Sequence, residues 1–147
     1  MTSRPPLTER IPQRAKLTRY AAMAEASTTR PTYLYRIMTH EEWTACSASG
    51  KYAGAALDEA SGFIHLSTAS QVPGTLSLFF KDVSCVVVKL LTEKVGGEDV
   101  LKFEEAPERP GDLFPHLYEA NLPVTAPALV GTCNAEGGAV SDPAFLE

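Results

Sequence analysis

From Cys85 to Leu91 the chain is apolar at every position except Lys89. A run without alternation, bounded by polar residues, predicts a central strand covered on both faces. Tyr33–Met38 is rich in β-formers and reads as a first strand. Thr39 followed by Glu42 is a capping box that opens a helix through Trp43 to Ser49, and Gly50 suits its left-handed end. Tyr52–Ala60 has no clear period and reads as a loop. After Ser61-Gly62, Phe63–Leu66 reads as a short buried strand. Thr68 with Gln71 suggests a second capping box. Pro73 fits an early helical turn, and Leu76, Phe79 and Phe80 give that helix an apolar face.

Gly96-Gly97 turns the chain, and Leu101-Lys102-Phe103-Glu104 alternates like a strand with one wet face. Pro107, Pro110 and Gly111 predict a rigid polar loop. It delivers Phe114–Tyr118, which Pro115 marks as an edge segment or a turn. Leu122–Thr125 reads as a turn, Ala128–Cys133 as a last strand and residues 134–147 as a loosely held C-terminal tail. The order predicts an α+β fold, with one compact domain over residues 33–133, two to three helices, and a mixed sheet that is whole or split.

Composition narrows the class. The chain has 147 residues, enough for one core, and its 44% hydrophobic and 21% charged content is that of a soluble globular protein. No apolar run approaches the roughly 18–20 residues of a membrane-spanning helix, so no membrane partner is expected. Residues 1–32 carry six basic and two acidic side chains, a charge of +4, which leaves −9 of the total −5 for residues 33–147. An acidic domain without a basic cluster is a poor partner for long nucleic acids. The basic, hydroxyl-rich first 32 residues, with a short helix over Ala15–Ala26, resemble an organelle transit peptide or a disordered extension. The expected location is therefore cytoplasmic, or mitochondrial or plastid if that segment is a transit peptide, and not secreted. Cys46, Cys85 and Cys133 are odd in number and widely spaced, which fits a reducing compartment without a disulfide framework.

The chemistry centres on a repeated tetrapeptide. Phe63-Ile64-His65-Leu66 and Phe114-Pro115-His116-Leu117 share the pattern Phe-x-His-Leu, followed by Ser67 and Tyr118. Imidazole titrates nearest neutral pH, so two histidines in matching apolar frames suggest the halves of one site. On a strand, Phe63, His65 and Ser67 share a face, and the start of the next helix would set Ser67 and Thr68 near an anion. Arg109 is the candidate for neutralising that anion. Glu104 could orient an imidazole or act as a base, and Trp43, Tyr33 and Tyr35 could wall a ring-binding cleft. The plainer alternatives are core histidines satisfied by backbone, a solvated Glu104 and a core tryptophan. Two histidines with Glu104 or Asp112 would make a three-ligand metal site, but no His-x-x-x-His or His-x-x-Glu spacing supports it, and no metal is expected.

Gly62–Thr68, Gln71–Thr75 and Phe114–Tyr118, with Tyr35-Arg36-Ile37, Trp43 and Leu101–Glu104, resemble the uncharacterised family called domain of unknown function 952. The resemblance covers Tyr33 to Cys133. That family is grouped with ADP-ribosyltransferase-like folds, which implies a split mixed sheet and a ligand such as NAD or ADP-ribose. It maps the ribose-binding histidine motif onto His65-Leu66-Ser67, with Leu66 where those enzymes carry Gly. Their catalytic glutamate and aromatic position correspond only loosely to Glu104 and Tyr118. The resulting expectation is a cleft lined by His65, Ser67, Arg109, His116 and Tyr118 that takes a nucleotide-like or phosphorylated small molecule, with transferase chemistry open. Two alternatives stand beside it. One is a two-histidine phosphoesterase acting on a cyclic phosphate, whose His-x-Ser/Thr rule His65-Leu66-Ser67 satisfies and His116-Leu117-Tyr118 does not. The other is a non-catalytic binding module.

Overall fold

The structure, a computed structural model, describes residues 30–107 and 109–147. Strand β1 (Tyr33–Thr39) runs into helix α1 (His40–Ser49) through the expected capping box. Thr39 Oγ1 accepts from the Glu42 N–H at 3.0 Å, and Glu42 returns the bond to the Thr39 N–H at 2.9 Å. Gly50, at φ 86°, ends the helix in the left-handed region that a side chain disfavours. There follow β2 (Lys51–Tyr52), α2 (Ala56–Ser61), β3 (Ile64–His65), α3 (Val72–Phe79), β4 (Cys85–Leu91) and the single turn α4 (Thr92–Val95). The second half is β5 (Leu101–Ala106), β6 (Arg109–Leu117), β7 (Leu122–Pro123), β8 (Leu129–Glu136), β9 (Ala139–Val140) and a 3₁₀ turn at Pro143–Phe145.

The apolar run forms β4, flanked on both sides in a four-stranded sheet of order β1-β4-β8-β9. Strands β3, β6 and β5 make a second sheet, and β2 pairs with β7. A bridge between Tyr35 and Ser67 ties the end of β3 to β1, so the two larger sheets continue into one curled surface. The sheet is split, as the sequence allowed. Its described pairs are all antiparallel rather than of mixed direction. Its neighbours meet through hairpins and returning connections, and among the described residues no βαβ crossover lays two strands parallel.

Alternation along β1 and β4 divides the core. Leu34, Met38, Val86, Val88 and Leu90 pack with Ile64, Leu101, Leu117 and Leu122, while Tyr35, Ile37, Cys85 and Val87 meet Val72 and Leu76 of α3 on the opposite face. Thr32–Glu147 form one compact α+β unit.

Several local expectations change. Pro110 and Gly111, expected in a polar loop, are already part of β6, and Leu122-Pro123, expected in a turn, pairs as β7. Tyr52–Ala60 is no loop throughout, because Ala56–Ser61 are helical, closed by Gly62 at φ 87°. Phe114–Leu117 belongs to the middle strand of its sheet, not to an edge. The Pro115 carbonyl accepts from the Leu66 N–H at 3.0 Å, so its missing N–H faces β3 just where β3 leaves the ladder. Residues 134–147 are no loose tail: β9 pairs with β8, and Phe145 sits edge-on to Tyr35 at 6.0 Å. Lys89 is buried in β4 because its Nζ reaches the Phe145 carbonyl at 3.1 Å and Glu147 at 3.0 Å. The transit-peptide reading of residues 1–32 and the helix over Ala15–Ala26 lie outside the described residues, apart from residues 30–32. Among the described residues no helix is long and apolar enough to cross a membrane.

Candidate functional site

Two-residue β3 lies antiparallel to β6, with Ile64 opposite Leu117 and His65 opposite His116. Ile64 and Leu117 face the core, which turns Phe63, His65, His116 and Tyr118 to the other side. On β5, Glu104 lies opposite Phe114 and shares that face. The two halves of the sequence motif are therefore cross-strand neighbours, their ring centroids 5.6 Å apart and edge-on. Phe63 stacks on His116 at 4.0 Å and 22°, and its ring lies 4.7 Å from His65 and 5.2 Å from Tyr118.

Each imidazole is held by a carboxylate. His65 Nδ1 lies 2.7 Å from Asp58 Oδ1, and His116 Nδ1 lies 2.7 Å from Glu104 Oε1. An ionised carboxylate only accepts, so Nδ1 carries the proton in each ring. In the neutral ring Nε2 is then the basic atom. The sealed side-chain atoms without a partner among the described residues are Arg36 Nε and Thr92 Oγ1; neither Nε2 is one of them.

The surroundings differ. Asp58 is 3% exposed and accepts from the His65 N–H, the Ala55 N–H and both terminal nitrogens of Arg36 as well as from the His65 ring. Burial alone would raise its pKa, but the hydrogen bonds from His65 and Arg36 hold it well below the carboxylate range. Arg36 also donates to the His65 carbonyl at 2.9 Å and to the Tyr52 hydroxyl at 2.7 Å. Burial pushes the Tyr52 hydroxyl up to about 12. On the other side, Glu104 Oε1 accepts from Tyr118 at 2.7 Å as well as from His116. That bond to Glu104 pushes Tyr118 up to about 12. His116 is pulled below its ordinary value by burial, a loss that Glu104 offsets and the neighbouring His65 deepens.

A groove of about 240 Å³ opens beside the dyads, lined by Asp58, Glu59, Phe63, Tyr118 and Glu119 among others. It reaches neither imidazole directly. The rings lie next to it, across Phe63 and Tyr118.

His65, His116, Glu104 and Tyr118 thus come together. Arg109 flanks them: its guanidinium sits 5.2 Å from the Phe114 ring and pairs with Asp112 at 3.1 Å. Ser67 is buried and spends its backbone on Tyr35. Thr68 does not open a helix. Gln71 Oε1 caps the Thr68 N–H at 3.0 Å while Gln71 Nε2 ties to Asp112 and Leu113, so the segment turns and α3 begins only at Val72. Tyr35 is fully buried on the opposite face of β1 and walls no cleft. Trp43 packs against the core from α1, away from the groove. Among the described residues no three His, Cys, Asp or Glu side chains gather to hold a metal. Asp112, the alternative metal ligand, is spent on Gln71 and Arg109.

Two residues of this arrangement were missed in the sequence. Asp58 fell in a stretch without period. Arg36 left a signal: it is the charged residue within the apolar run Tyr33–Met38, and a buried charge on a strand requires a partner.

A family model described as "Protein of unknown function (DUF952)" matches residues 37–130. The crystal structure of protein CC0527 from Caulobacter crescentus is 32% identical, with a TM-score of 0.65 over 78% of this chain and 98% of that one. A double-mutant form of the same protein gives 30% identity and the same TM-score and coverage. Its solution NMR structure is 32% identical with a TM-score of 0.58, over 75% and 91% of the two chains. No curated protein matches.

Proposed function

The chain belongs to the family described as protein of unknown function DUF952, and from that premise we propose that its paired carboxylate–histidine dyads bind a small, nucleotide-like phosphorylated molecule and move protons on it. One observation carries this reading. His65 and His116 are direct cross-strand partners, each with Nδ1 held by a carboxylate and Nε2 left without a protein partner among the described residues. A carboxylate behind Nδ1 fixes the tautomer and orientation of a ring whose Nε2 transfers protons. Phe63 and Tyr118 supply ring surfaces beside it, suited to a nucleobase or a similar flat group.

The two rings suit a cyclic phosphodiester. A neutral Nε2 takes a proton from water as the water oxygen bonds to phosphorus. The phosphorus–oxygen bond to the ring breaks, and the departing oxygen takes a proton from the other, protonated imidazole. This phosphoesterase reading is favoured over a transferase because Glu104 Oε1 is engaged by both His116 and Tyr118.

Titration of NAD, ADP-ribose and a 2′,3′-cyclic nucleotide against wild type, His65→Ala and His116→Ala tests the site. Loss of about tenfold or more in affinity in each variant is expected for a group that hydrogen-bonds the ligand. Equal affinity in all three proteins would remove the histidines from the site. Hydrolysis of the cyclic nucleotide that disappears in His116→Ala marks a phosphoesterase, whereas NAD consumption marks a transferase.

A further inference from the structure

Charge is unevenly spread around the dyads. The Arg36 guanidinium is buried and engaged by Asp58, the His65 carbonyl and Tyr52. Arg109 is paired with Asp112 and laid over Phe114. Lys102 lies opposite His116 in the β5–β6 ladder, is exposed, and has no ion pair among the described residues. Cross-strand partners project to the same side, so Lys102 adds one unpaired cation to the histidine face. The groove end carries the opposite charge: Glu59 and Glu119 are both exposed and both line it. Among the described residues no lysine or arginine lines the groove.

Building on the reading proposed above, we infer that the ligand carries one phosphate and an uncharged ring, and that Glu59 and Glu119 are specificity-determining residues that reject a second phosphate. A space of about 240 Å³ is about 8 Å across, so a group inside it lies within about one Debye length (about 8 Å in physiological salt) of the two carboxylates that line it. A neutral ring against Phe63 and Tyr118 is unaffected by that field. A phosphate in the groove meets Glu59 and Glu119, neither of them ion-paired among the described residues, while the Arg36 guanidinium is already engaged by Asp58. A phosphate over the imidazoles meets the Lys102 ammonium, while Asp58 is offset by Arg36 and Glu104 is engaged by His116 and Tyr118. A single phosphate ester with one flat ring satisfies both ends, and a pyrophosphate does not.

Calorimetric titration of the full chain with 2′,3′-cyclic AMP and with ADP-ribose separates the cases. Wild type is expected to bind the cyclic monophosphate at least about tenfold tighter. In the Glu59→Gln/Glu119→Gln double variant, ADP-ribose affinity rises roughly tenfold while the cyclic nucleotide changes by less than about threefold. Both substitutions are at exposed positions whose side chains take no part in the dyad hydrogen bonds, and a circular dichroism melt verifies that the variant is folded. Comparable affinity for the two ligands in wild type, or an unchanged ratio in the double variant, overturns the inference and leaves the proposed site standing. Binding of neither ligand to folded wild type removes the proposed site and this inference with it.

Discussion

Asp58 is the residue on which the His65 half of the site rests. Five hydrogen bonds converge on its carboxylate, two of them from Arg36, in a position 3% exposed to solvent. Asp58→Asn keeps the size but removes the charge and turns an NH₂ toward Arg36 and backbone N–H groups that can only donate. The expected cost is about 3–5 kcal/mol in urea unfolding, because a buried guanidinium loses its counter-charge. Tyr52→Phe removes one acceptor from Arg36 Nη2, which keeps Asp58, and should cost only about 1 kcal/mol. Similar costs for the two variants would show that Asp58 is not the hub. The histidines were legible in the sequence because their motif repeats, and Glu104 because it closes an alternating strand. Asp58 was not, since its charged and imidazole partners, Arg36 and His65, lie 22 and 7 residues away and no local pattern announces them. Tyr35 was misassigned for a simpler reason. It precedes Arg36 on a strand, so whichever face Arg36 takes toward the dyads, Tyr35 takes the other.

Elements with a strong local signal were readable, and those defined by distant pairing were not. The β4 run and the capping box of α1 are written in consecutive residues. Strand β3 has two residues but was readable because it sits in the apolar frame of Phe63–Leu66. By contrast β2, β7 and β9 are equally short, and the partner that makes each a strand is fixed by the tertiary fold. The C-terminal segment belongs with them, since its Gly and Pro content suggested a tail while its contacts are with β1 and β4. Lys89 explains why it docks. An ammonium within β4 takes the Phe145 carbonyl and the Glu147 carboxylate as acceptors, with the Tyr33 ring 4.4 Å away. Deleting residues 142–147 leaves that charge without its acceptors and strips Phe145 from Tyr35. The expected loss is about 2–4 kcal/mol in denaturant unfolding. Lys89→Met in the shortened chain should recover part of it, because an apolar side chain of similar volume needs no acceptor. Unchanged stability on deletion would mean that the segment contributes nothing; no recovery with Met would mean that packing, not the ammonium, is what the segment supplies.

The molecule as a whole should lose stability toward acid in two steps. His116 has its pKa lowered in the folded state, first by burial, with Glu104 opposing and His65 reinforcing the shift. The unfolded chain therefore binds a proton that the folded chain refuses. The stability involved is complete above the ordinary histidine value of 6.5 and falls as pH drops below it toward the native value. Asp58 is also lowered: burial, which would raise it, is outweighed by its bonds to His65 and Arg36. Its contribution is complete above the ordinary carboxylate value of 3.8 and falls as pH drops through and below that point. Urea midpoints measured from pH 8 to pH 3 should fall first as pH drops below about 6.5 and again below about 4. His116→Gln should flatten the upper step and leave the lower, and Asp58→Asn should do the reverse from a lower starting stability. Net charge cannot imitate the upper step. Residues 33–147 are acidic, so protonation relieves repulsion and acts in the stabilising direction over the same range. Repeating the series in 0.5 M salt screens that background, and the upper step should then stand out more clearly. A midpoint that stays level from pH 7 to 5 in both salts would mean that His116 protonates as readily in the fold as outside it.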